Sequence, residues 1–199
     1  MKKIGLLILI FMAAFSTGAV AENNLRFIEA RGIVNINEVG GHGLYVFSLW
    51  DKNKGCPIGA DGAFVTVISD SRPQKLSVMD DKKMTRALTI ALPEDSQRIT
   101  FDAKSTAEAV LFRDPDVFSN SVEAEKFSRI IADSKAFEGL VVFLKNNLAR
   151  SPLEELMNNK EYIALLEKCN AEVFGQDTEA ISKSLYEAKA KLQKAFQER

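Results

Sequence analysis

Histidine is almost missing from this chain: among 199 residues only His42 carries an imidazole. Histidine-rich zinc sites are thereby excluded, and any catalytic triad would depend on that one side chain. Cysteine is nearly as scarce. Cys56 and Cys169 stand far apart in the chain and form no local zinc knuckle. Neither sign of charge is in excess, with 26 Lys and Arg against 27 Asp and Glu and a net charge of −1. A chain so balanced lacks the basic footprint of a protein that binds nucleic acid or an anionic membrane. There is no internal repeat, no low-complexity tract and no G-x-S-x-G nucleophile elbow. The glycines of Gly59-Ala60-Asp61-Gly62 are not followed by Lys-Ser/Thr, so no phosphate cradle is indicated.

What is present begins with a leader. Lys2 and Lys3 give a positive start, Ile4 to Phe15 an apolar core, and Ala19-Val20-Ala21 a small-residue cleavage site. Residues 1–21 are therefore expected to be a signal peptide, cleaved before Glu22. The apolar run is short for a bilayer span, no cysteine follows it for lipid attachment, and no other transmembrane candidate occurs downstream. The expectation is a periplasmic or secreted bacterial protein, made slightly more acidic by the loss of the two lysines.

From Leu25 to Phe101 the apolar pattern has the period of strands. Ile28, Ala30, Val34 and Ile36 alternate with more polar residues. Gly40-Gly41-His42-Gly43 reads as a turn, and Leu44 to Trp50 as a central strand. Asp51 to Gly62 reads as a loop, and Ala63 to Ile68 as the next strand. Leu76 to Met79, Met84 to Leu92 and Ile99 to Phe101 complete six short strands separated by turns. Leu88, Ile90 and Leu92 share one face. Such spacing predicts an antiparallel sandwich, without the Cys…Trp…Cys spacing of an immunoglobulin domain.

The pattern changes at Phe101 to Pro115. Ser105 and Glu108 form an S-x-x-E capping box ahead of Ala107, Val110, Leu111 and Phe112. So short and apolar a helix has to be buried between two layers. Asp114-Pro115 ends it, because the residue before proline avoids helical dihedrals. Beyond it the period is helical. Val122, Phe127, Ile130 and Ile131 make one face, and Phe137, Leu140, Val141, Leu144 and Leu148 the next. Ser151-Pro152-Leu153-Glu154 has a serine cap and a first-turn proline. Tyr162, Leu165, Leu166 and Val173 continue the stripe to Gly175. Asp177 caps a last helix along Ile181, Leu185, Ala188, Leu192 and Phe196. The fold class is therefore α+β: a β-sandwich-like domain over 22–102 and a bundle of amphipathic helices over 103–199.

Candidate chemistry is thin. His42 sits in a glycine-rich turn with no local nucleophile or orienting acid. Asp51-x-Asn53-x-Gly55 has the outline of a calcium loop but puts Gly62 where the bidentate glutamate belongs. Asp80-Asp81 and Glu154-Glu155 occupy a turn and a helix start, where acids are structural. Tyr45, Phe47 and Trp50 fit either a ligand platform or, at alternating positions in the most apolar strand, the core. The apolar line of the final helix suits packing on its own helical domain better than a coiled-coil dimer seam. Export places Cys56 and Cys169 in an oxidising compartment, where a bridge between the two halves is expected. Cys169 also fits a buried small apolar residue after Leu165 and Leu166.

The segments GADGAFVTVISDSRPQKLSVMD, RITFDAKSTAEAVLFRDPDVFSN and IIADSKAFEGLVVFLKNNL resemble a loose group of secreted or surface-attached bacterial proteins of unknown function. In that group a β-sandwich with a D-G-x-F strand start leads to an S-T-A-x-A helix start followed by a proline, and then to short helices. The D-G-x-F start is also similar to that of the prealbumin-like regulatory domains attached to carboxypeptidases. The resemblance covers Asp61 to Leu148 and rests on Ser105-Thr106-Ala107-Glu108-Ala109 with Pro115. It implies the architecture and a non-enzymatic default.

The leading reading is an exported binding or scaffolding protein that presents a surface to another protein or an envelope component. It has no catalytic, cofactor or metal residues and no nucleic-acid partner. A hydrolase using scattered Ser, Asp and His42 is the second reading. A periplasmic amphiphile carrier or chaperone, with an apolar cavity between strands and helices, is the third.

Overall fold

The computed structural model describes residues 26–48, 55–111 and 128–174. The expected leader, Trp50, the Asp51 and Asn53 positions, Phe112 to Phe127 and everything from Gly175 onward lie outside the described residues. Within them the chain is α+β. In order, it forms β1 (Phe27–Val34), α1 (Ile36–Val39), β2 (Tyr45–Phe47), β3 (Cys56–Pro57), β4 (Ala63–Ser69), β5 (Gln74–Met79), β6 (Thr85–Ala91) and β7 (Ile99–Phe101). These are followed by α2 (Ala103–Leu111), α3 (Lys135–Asn147), α4 (Leu153–Leu156) and α5 (Lys160–Phe174). Residues 128–132 are also helical.

The strands make two sheets, ordered β4-β1-β7 and β3-β2-β5-β6. Every pairing is antiparallel except one: β7 runs parallel to β1, with Gly32, Ile33 and Val34 opposite Ile99, Thr100 and Phe101. The all-antiparallel expectation therefore fails at this pair. Short spacing between strands favours hairpins, but β7 reaches β1 only after the whole second sheet has intervened. Glycine permits that approach. A Cβ on Gly32 would lie 2.1 Å from the Ile99 carbonyl oxygen and 2.5 Å from the Phe64 ring. Ile36, read as strand, instead opens the short helix α1.

Alternation sorts the side chains into two apolar clusters. The first draws on both sheets: Ala30 and Val34 from β1, Phe64 and Ile68 from β4, Val46, Leu76, Val78, Ala87 and Ala91 from the second sheet, and Phe101 from β7. Phe64 and Phe101 meet edge to face at 5.5 Å. The second cluster is helical, with Ala103, Ala107 and Leu111 of α2 against Phe137, Leu140 and Leu144 of α3, plus Tyr162 and Cys169 of α5. Leu88, Ile90 and Leu92, the shared face expected from sequence, pack against this second cluster. Strand β6 thus has its two faces in different cores.

Four close contacts, three of them polar, tie the helices to the strands and to one another. The buried Arg86 of β6 donates from Nη2 to the carbonyls of Leu148 (3.0 Å) and Ala149 (3.2 Å), just past the end of α3, where the helix dipole favours a cation. The carboxylate of Glu38 in α1 accepts from the Ala103 N–H that opens α2 and lies 3.6 Å from Lys145 Nζ. Glu154 of α4 accepts from the Thr85 N–H at the start of β6. Fourth, Gly40, with φ of +63°, backs directly onto α3's end, since a Cβ there would lie 2.5 Å from the Ala149 oxygen. This close approach needs a glycine, both for the space and for the positive φ.

Candidate interaction surface

Helix α2 starts one turn earlier than the S-x-x-E pattern suggests. Its cap is Asp102, whose Oδ1 accepts from the Ser105 N–H (2.7 Å), while Ser105 Oγ accepts from the Asp102 N–H (2.9 Å). Ser105 is therefore the returning partner of a capping box, not its first residue. Glu108 lies half-buried in the second turn, where burial pushes its carboxyl above the usual range and Lys104 pulls the other way. The reason for the shift in register is the neighbouring strand. Thr106 Oγ1 accepts from the Leu88 N–H (3.2 Å) and donates to the Asp102 carbonyl (2.7 Å), and Ser105 Oγ lies 3.3 Å from the Leu88 oxygen. Strand β6 is an edge of its sheet, and the adjacent Ser-Thr pair satisfies the backbone groups that an edge leaves open.

The other sheet has an edge of a different kind. Strand β4, AFVTVIS, is an edge with no charge and no proline, and its outward side chains are exposed. Pairing with β1 occupies the backbone groups of alternate residues. Ala63, Val65 and Val67 belong to the set that points away from β1, as the Gly59 N–H bond to the Ala63 oxygen (2.8 Å) marks. Among the described residues no strand pairs along this side. The sheet's outer face carries exposed apolar side chains as well: Phe27 is 48%, Ile33 52%, Val65 49% and Val67 44% exposed. Between them along β1 runs the ion pair of Arg31 and Glu29 (2.8 Å), set opposite Val65 and Val67.

The residues singled out in the sequence do not converge. His42 is exposed and, among the described residues, makes no hydrogen bond or ion pair; Gly40, Gly41 and Gly43 around it all have positive φ, which accounts for the glycines by turn geometry. Asp61 Oδ1 accepts from the Ala63 N–H and Gly62 has a φ of +86°, again a turn. Asp80 Oδ1 accepts from the N–H groups of Lys82 and Met84. Among the described residues no group of three or more His, Cys, Asp or Glu is placed to hold a metal ion. Tyr45 is exposed and Phe47 half-buried on the outer side of the second sheet, and Val46 is the inward residue of β2, so these rings are not core. The Gly55 backbone lies over both, since a Cβ there would lie 2.6 Å from Phe47 and 2.7 Å from Tyr45.

The expected bridge is not formed: Cys56 and Cys169 are both free. Cys56 borders the two-sheet cluster, with Sγ 3.5 Å from Thr66 Oγ1, whereas Cys169 belongs to the helical cluster. Its thiol is pushed up to about 11, chiefly by burial and further by Glu172. A neutral buried thiol of this kind is a small apolar packing group.

Sequence reasoning missed Ser134 and Glu172. Ser134 Oγ caps α3 by accepting from the Phe137 N–H, and Glu172, from the last turn of α5, accepts from Ser134 Oγ (2.7 Å) and the Ala136 N–H (3.0 Å). Those two bonds hold the Glu172 carboxyl below its usual range. The serine was findable as a cap before an apolar stripe; its distant carboxylate partner had no local signal. Among the described residues no helix is long and apolar enough to cross a membrane. Compared with protein-family models, curated proteins and solved structures, the chain matches none of them.

Proposed function

We propose that this is an exported, non-enzymatic binding or scaffolding protein that docks a protein partner along β4 and the outer face of its sheet. The observation that carries the reading is the uncharged edge at Val65 and Val67, beside the exposed side chains of Phe27 and Ile33. An uncharged edge strand with open backbone groups is a template for an added strand, and an apolar face beside it supplies side-chain contacts. Large apolar side chains left exposed together on one face support a contact site there. On this reading the two sheets form a β-sandwich-like domain over 22–102, the helices a bundle over 103–199, and the leader sends the chain to the periplasm or beyond. The balanced charge supports a protein or envelope component as partner over a nucleic acid. No observation on the described residues favours the hydrolase or amphiphile-carrier readings.

A photo-crosslinking residue placed at position 67, with a control at the exposed turn residue Lys82, tests this in the producing cell after fractionation. The expected result is a protein adduct specific to position 67, found in the exported fraction. Equal labelling at both positions, or retention of the chain in the cytosol, would refute the proposal.

A further inference from the structure

The two sheets face each other with β3 across from β4 and β6 across from β7. Helix α2 lies against β6 and β7 and covers that side. On the other side, among the described residues, no further strand joins β3 or β4. Cys56 marks the opening. It stands opposite Val46, an inward residue, and its Sγ lies 3.5 Å from Thr66 Oγ1, so its side chain points between the sheets. It is nevertheless half-exposed.

The two edges offer different things to an added strand. Ile58 donates toward β2, to the Leu44 oxygen, so the outward position of β3 is Pro57, which has no N–H to give. On β4, Ala63 is already engaged, its oxygen by the Gly59 N–H and its own N–H by Asp61 Oδ1, and Ser69 is fully buried. Val65 and Val67 therefore hold the outward backbone groups left for pairing. Phe64 to Ile68 on one edge and Cys56 to Gly59 on the other carry no charge.

Resting on the reading that β4 docks a protein, we infer that the partner presents an extended segment, apolar at three successive positions, that pairs antiparallel with Val65 and Val67. Directly opposed residues share a face, so its first and third side chains lie beside the two valines on the outer face. The middle side chain turns inward over Thr66 and Cys56 and closes the gap that α2 closes on the other side. A charge at that position would leave water for an uncharged wall with no partner, so the neutral edges select a neutral residue. The first and third positions must donate N–H groups to β4, which excludes proline there.

The full chain and the peptide acetyl-Lys-Thr-Val-Ala-Val-Thr-Lys-amide test this, read by amide exchange and by alkylation of Cys56. With the peptide at saturation, the Val65 and Val67 amides should exchange at least about tenfold more slowly. Alkylation of Cys56 should slow at least about fivefold. N-methylation of either peptide valine should abolish both effects, whereas N-methylation of its alanine, whose N–H points away from β4, should leave them. Protected amides with Cys56 alkylated at its free rate would overturn the inference and leave the β4 reading standing. Equal action of all the methylated peptides, or no effect at millimolar peptide, would overturn it as well. Val65 and Val67 amides already protected before peptide is added would mean a filled edge and overturn both readings.

Discussion

Strands β6 and β4 are both sheet edges, similar in length and in apolar content, and the chain treats them in opposite ways. At β6 a helix is laid against the strand, Thr106 and Ser105 take up the Leu88 backbone, and Leu88 and Ile90 enter the helical core. At β4 the backbone groups of Val65 and Val67 that point away from β1 meet no strand among the described residues, and their side chains face outward. The difference separates an edge that folding has covered from one that it leaves open. A covered edge contributes to the stability of the fold, whereas a bare one is a template on which another strand can pair.

Substitutions separate the two regions, and the largest effect should come from the covered side. Leu111→Asp puts an unpaired charge into the helical cluster, where Leu111 is buried. It should cost about 3–5 kcal/mol, seen as loss of a cooperative thermal transition. A parent-like melt would mean that α2 is not packed between strand and helices. Thr106→Val comes next. It leaves the Leu88 N–H without its acceptor and should cost about 1–2 kcal/mol in a denaturant titration, with Leu88 exchanging faster.

A smaller effect is expected at Glu172. Its carboxyl is held below the ordinary value by Ser134 and the Ala136 N–H, so its contribution is fully present above the unfolded-state pKa and is lost as pH falls through the lower folded value. Parent and Glu172→Gln should therefore differ slightly in melting temperature at neutral pH and converge in acid. A difference that grows on acidification would contradict this. The thiols should show no stability effect at all. Two should titrate in the unreduced, denatured protein, and in the native protein the half-exposed Cys56 should be alkylated well before the buried Cys169. A chain with no titratable thiol would instead restore the bridge.

The elements on the two sides of this contrast were legible in the sequence, because alternation and helical period are local signals. The spans of β4, β5 and β6, the shared face of Leu88 and Ile90, and the stripe of α3 could all be read directly. The coarse α+β class followed from them. What could not be read depends on partners distant in sequence. Ser105 looks like a cap until Asp102 and Leu88 are placed beside it. Glu38, Glu154 and Glu172 look like surface acids, yet each accepts from a backbone donor of another element. The parallel β7 and the bare β4 edge are facts of sheet order, which periodicity does not carry. Cysteine arithmetic failed for a related reason: the count suggests a pair, while the fold puts Cys56 and Cys169 in separate clusters.

The claim that the β4 side is kept for a partner and not for folding is tested most directly by one double substitution. Val65→Glu lies opposite Arg31 and Val67→Lys opposite Glu29, so each new charge meets its complement across the strands. The parent and this variant are compared by melting temperature and by native size in an extract of the producing cells. The account predicts equal melting temperatures, with the parent eluting in a larger complex and the variant as the free chain. A variant that melts many degrees lower, or one that keeps the parent's complex, would contradict it.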